Sequence, residues 1–136
     1  MGYMSAPSVP ISWGELIDKM TILEIKREKI EAPAARANVE REYRLLRTTG
    51  GEALHIAQDL VGELRQVNRA LWAIEDAIRE QEATAQFGAE FVQLARSVYR
   101  MNDRRAAIKR DINRLLGSDL VEEKCYAAHV APAPSV

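Results

Sequence analysis

Seven apolar residues between Ala57 and Ile78 stand alternately three and four positions apart: Ala57, Leu60, Leu64, Val67, Leu71, Ile74 and Ile78. That step keeps one stripe of an α-helix turned toward a partner helix. It fits no β-strand, whose faces alternate at every second residue. The spacing predicts a helix, the third in the chain, from about Glu52 to Glu82, with Trp72 flanking its seam. A second seam follows at Phe87, Phe91, Leu94, Val98, Met101, Ile108, Ile112 and Leu115, and Arg105 occupies one of its slots. This fourth helix is expected to end at Leu116, with Gly117 as a left-handed C-cap. The short piece from Ala83 to Gly88 has room only for a tight reversal, so the two helices form an antiparallel hairpin.

Upstream, Ser12 and Glu15 have the spacing of a capping box, and Ile11 with Leu16 that of a hydrophobic staple. The first helix then runs from about Trp13 to Glu31. Leu16, Met20, Leu23 and Ile30 form one stripe; Ile17, Ile22 and Ile25 widen it, which predicts cover on more than one side. Pro33 is placed to open the second helix, which carries Val39, Tyr43 and Leu46 and is expected to end near Arg47. Thr48-Thr-Gly-Gly51 reads as the strongest break in the chain. Ser118 can cap a further turn through Lys124, a piece equally readable as extended. The predicted fold is all-α: an antiparallel helical bundle built on the long hairpin of the third and fourth helices, with the first two packed on it. Residues 1–10 are expected to form an extended segment, 11–126 a single helical domain, and 127–136 a flexible Pro/Ala tail.

A formal net charge of -1 argues against a protein that lives on nucleic-acid phosphates. A single cysteine, Cys125, excludes an intrachain disulfide and a multi-cysteine metal site, and fits a reduced, cytoplasmic setting. No stretch is long and apolar enough for a membrane span, and the first residues have neither the basic nor the apolar region of a signal peptide.

Charge is sorted by helix. From Glu52 to Glu82 there are seven acidic and three basic residues; from Arg96 to Arg114 there are seven basic residues against Asp103 and Asp111. Opposite charge favours the pairing of these two neighbours and accounts for most of the basic coat. At about 1.5 Å per residue the hairpin helices are each roughly 40–45 Å long, too long for the shorter first helix and the second to cover completely. A homodimer is therefore expected.

Arg105 is the one charge on an apolar seam, and such a residue needs a partner. The hairpin geometry predicts Glu63 as its ion-pair partner, to within one turn. The functional alternative is a small-molecule-binding or enzymatic site on this face, made of Arg105, Arg104, Asn102, Tyr99, Arg100 and Lys109, and suited to an anionic carboxylate or phosphate. Glu52-Ala-Leu-His55 has the Glu-x-x-His spacing of di-iron bundles but lacks a second copy, so no metal site and no cofactor are expected. Neither a phosphate-cradling loop nor a nucleophile elbow is present. The adjacent Glu75 and Asp76 point in different directions on a helix and make no carboxylate pair.

Four blocks, Ile11–Lys26, Leu71–Arg79, Leu94–Arg110 and Gly117–Lys124, together resemble a small bacterial family of unknown function. The resemblance spans about Val9 to Tyr126. It implies a free-standing bacterial cytoplasmic protein and supplies no catalytic residues. The sequence thus predicts an uncharacterised helical homodimer, a non-enzymatic interaction or scaffold module. Trp13, Tyr3 and the tail are its expected surface for a protein partner, with neither nucleic acid nor membrane as a target.

Overall fold

A computed structural model describes residues 4–125. The expectations placed on Tyr3 and the C-terminal tail fall outside that range. Four helices follow one another: α1 (Trp13–Lys29), α2 (Pro33–Ile56), α3 (Gln58–Ala83) and α4 (Ala89–Leu116).

Local chemistry sets most of the helix ends. Ser12 caps α1 by accepting the Glu15 amide at 3.1 Å. Pro33 is the first residue of α2. The reversal between α3 and α4 passes through Ala85 at φ 54°, with the Gln86 amide bonded back to the Gln81 carbonyl at 2.8 Å. Gly117 closes α4 at φ 62°, and the Ser118 amide reaches the Asn113 carbonyl at 2.8 Å, the pattern of a Schellman cap. Residues 118–125 form no further helical turn.

One boundary differs from the prediction. The run Thr48–Gly51 is not a break; α2 continues through it to Ile56. Gly50 is buried there, and a Cβ at its position would lie 2.6 Å from Met20 Sδ and 3.4 Å from Leu16 Cδ2. The glycine is needed for the close approach of α1 and α2, not for a turn. The true junction is Ala57, at φ −97° and ψ 23°. No loop separates α2 from α3 there: the Ala57 amide still bonds to Ala53 (3.0 Å), and the Val61 amide to Ala57 (2.9 Å).

Helices α3 and α4 pack together most extensively, and α1 lies on both. Burial makes α1 the central helix. Leu16, Ile17, Met20, Thr21, Leu23 and Ile25 are all buried, so α1 is covered on more than one side as its wide apolar stripe predicted. One core joins Ile17 to Ala57, Val61, Leu64, Val67, Ile108 and Ile112. The other joins Leu16, Met20 and Leu23 to Val39 and Tyr43 of α2. Val61 lies outside the predicted seam yet is as buried as Leu64. It joins Ile17 in the first core, so α1 widens the apolar face of α3 beyond the stripe that the α4 pairing alone requires.

Toward its tip the hairpin outruns this cover. Leu71, Ile74, Ile78, Phe91, Leu94 and Val98 are only half-buried, and Phe87 and Val92 are exposed. Phe87 and Phe91 meet edge to face, centroids 5.3 Å apart.

Candidate functional site

The face of α1 that meets α4 is polar, and it forms an antiparallel ladder. At its foot the Gly14 amide donates to Asn113 Oδ1 at 2.7 Å. The helices are so close there that a Cβ on Gly14 would stand 2.5 Å from the Lys109 carbonyl oxygen. Next, Lys109 Nζ is held between Glu15 Oε2 (2.7 Å) and Glu122 Oε2 (2.8 Å). One turn on, the Asp18 carboxylate accepts both donors of one edge of the Arg105 guanidinium: Nε to Oδ1 at 2.9 Å, and Nη2 to Oδ2. This fork geometry is the strong form of a carboxylate–guanidinium pair.

Asp18 is almost wholly enclosed, and α3 completes its environment. Asn68 Nδ2 donates to Asp18 Oδ1 (3.0 Å) and to Thr21 Oγ1 (2.9 Å), while Thr21 Oγ1 donates to the Asp18 carbonyl (2.8 Å). Arg105 Nη1 also reaches Asn102 Oδ1 at 3.4 Å. Among the described residues no buried side-chain polar atom lacks a partner.

The electrostatics follow from these contacts. Hydrogen bonding to Asp18 raises the Arg105 pKa further above its ordinary value, against the opposing effect of burial. Burial pulls the Lys109 ammonium down, but its bonds to Glu122 and Glu15 outweigh that and leave it raised. The Lys109 bond holds the Glu122 carboxyl below the usual range. Glu122 belongs to the irregular segment after α4. Ser118 ties that segment to the start of α1 by accepting the Trp13 amide at 3.3 Å.

The expected pairing of Arg105 with Glu63 is corrected by this geometry. Arg105 pairs with Asp18, and Glu63 stands 4.0 Å from Arg104. The hairpin register brings Glu63 into the neighbourhood, but α1 lies in the groove and supplies a closer, buried carboxylate. Of the predicted ligand residues, Arg105 and Asn102 share a cavity wall. Lys109 is buried in its own ion pairs, Arg104 is exposed, and Tyr99 is exposed with Arg100 over its ring at 5.9 Å. Arg100 and Arg96 hold the Tyr99 phenol below its usual pKa. Trp13, expected at a partner surface, is half-buried against both cores. Asp18 and Thr21 were not singled out from the sequence. The signal for them was their position on a helix too apolar to leave either in water.

The shared cavity measures about 450 Å³ and opens where α1 ends along the hairpin. Ile22, Ile25, Leu71 and Trp72 form its apolar walls, Asn68, Asn102 and Arg105 its polar end, and Glu75, Asp76 and Arg79 complete its lining. Among the described residues, no group of His, Cys, Asp or Glu could hold a metal ion, and no helix is long and apolar enough to cross a membrane.

A family model described as a family of unknown function (DUF6165) matches residues 7–136. No curated protein and no solved structure matches the chain.

Proposed function

The chain belongs to that family of unknown function, and we propose that it works as a homodimeric interaction module whose self-association surface is the tip half of the α3–α4 hairpin. The observation that carries this reading is the continuing apolar seam. Ile74, Ile78, Phe91, Leu94 and Val98 keep their heptad positions after α1 has ended, and they stay half-buried for want of a third helix. A seam of this kind is completed by further helices packing at a shallow angle.

Charge argues for a second copy as the occupant. Beyond the cavity lining, the tip of α3 carries Glu80 and Glu82; the tip half of α4 carries Arg96 and Arg100 with Glu90. In a two-fold antiparallel pairing of hairpins, each acidic α3 lies beside the basic α4 of the other copy. An anionic ligand on the basic face of α4 is the other reading. Arg105 and Asn102 on the cavity wall favour it, but Arg105 and Lys109 already have carboxylate partners.

Light scattering on the purified chain tests the proposal. The expected mass is twice the chain mass of 15.3 kDa, and Ile78→Glu combined with Leu94→Glu should give a monomer with the same helical circular dichroism. A wild-type chain that is monomeric at every concentration examined would overturn the reading.

A further inference from the structure

We propose that the cavity beside Trp72 binds a small organic cation, its ammonium group held between the Asp76 carboxylate and the Trp72 ring and its apolar body lying along Ile22, Ile25 and Leu71. The sign of the ligand follows from the charges that line the cavity. Arg105 is neutralised by Asp18 directly behind it, and Arg79 by Glu75 at 3.3 Å. Asp76 makes no hydrogen bond or ion pair with any described residue. With those two pairs removed, the lining retains one negative charge and no positive one. An anion in this space would face that carboxylate while Arg105 remained bound to Asp18; a cation meets an unused carboxylate.

Trp72 adds a second observation of the same sign. Its half-buried side chain borders both the main cavity and a smaller one of about 310 Å³, as do Asp76 and Ile25. An indole with space beside it and a carboxylate one turn away is the arrangement that holds ammonium groups, because the ring face is electronegative. The smaller cavity is lined by two cations, Lys29 and Arg69, the latter paired with Glu28 through two bonds of 2.8 Å, so the ammonium group is assigned to the main-cavity side of Trp72, where Lys29 does not line the wall. At the inner end, Asn68 uses both amide hydrogens on Asp18 and Thr21. Its carbonyl oxygen is left as an acceptor for a ligand N–H, while Asn102 is left with its amide donor.

Trp72 also reports its own occupancy, since Trp13 is the only other tryptophan. In a Trp13→Phe chain, phenethylamine should quench the remaining emission saturably. The neutral phenethyl alcohol should bind at least about tenfold more weakly, and phenylacetate should not bind. Asp76→Asn should abolish the preference for the amine over the alcohol, and Trp72→Leu should weaken amine binding in calorimetry. Calorimetric titration of the wild-type chain with the same three compounds gives the ranking independently of how the Trp13 variant folds. Phenylacetate binding more tightly than phenethylamine, or no saturable binding of the amine in calorimetry, would overturn the proposal.

Discussion

Removing Arg105 should damage this protein more than removing Asp18, although the two form one ion pair. The asymmetry comes from exposure: the Asp18 side chain is 1% exposed and that of Arg105 28%. In Arg105→Met the 1%-exposed carboxylate keeps only the Asn68 amide and loses its counter-charge. Breaking a buried pair from one side costs about 3–5 kcal/mol, and a fully enclosed carboxylate belongs at the upper end of that range. In Asp18→Leu the stranded guanidinium still borders the cavity and reaches solvent there, so the loss should be about 2–3 kcal/mol. Substituting both residues removes the charges together, and the double variant should lose at least about 2 kcal/mol less than the sum of the singles. Urea denaturation followed by far-UV circular dichroism measures all four chains. Chain concentration must be held constant, because the stability of any self-associating chain depends on it. Unchanged m-values would show that the same surface is exposed on unfolding in each case. Additivity to within about 0.5 kcal/mol, or an Asp18 variant weaker than the Arg105 variant, would refute the assignment of Asp18 as the enclosed member of a coupled pair.

The glycines give a second test. Gly51→Ala meets only Arg47 Cγ at 3.7 Å, and it should stabilise the chain by about 0.5–1 kcal/mol because the position is interior to a helix. Gly14→Ala would press on the Lys109 backbone and should destabilise by about 1–3 kcal/mol, both read by denaturant midpoint. A third test uses pH. The Glu122 pKa is lowered on folding, so its bond to Lys109 contributes fully above the ordinary glutamate value of 4.5 and is lost as pH falls through the lowered one. Glu122→Gln should therefore reduce stability at neutral pH and show a smaller loss in acid; an equal loss at both would assign the effect to packing instead.

Much of the fold was legible because periodicity reports on faces. The seam from Ala57 to Ile78, the reversal before Ala89 and the cap at Gly117 all depend on local spacing. Gly50 misled for a physical reason. A glycine can mark a turn or a close approach, and only the position of Met20 across the interface decides between them. The candidate site was legible on one side. Arg105 stood out because it interrupts a seam, and Asn102 because it lies one turn away. Asp18 lies 87 positions from Arg105 in the chain, and its role depends on α1 lying in the hairpin groove, which the seam does not encode. Glu63 was the best partner the hairpin alone could offer.

That same separation orders events in time as the chain is made. Asp18 leaves the ribosome long before Arg105 exists, and Gly14 long before Asn113 and Glu15 before Lys109. Until α4 emerges, the polar face of α1 has only Asn68 of α3 to bond Asp18, and its apolar faces have only α2 and α3. The hairpin closes from neighbouring sequence, but the polar ladder of α1 is completed only once α4 has been made. Helix α1 thus finishes docking only after the three helices that follow it, and a chain cut short before Arg105 would retain α1 with a buried-type carboxylate lacking its counter-charge.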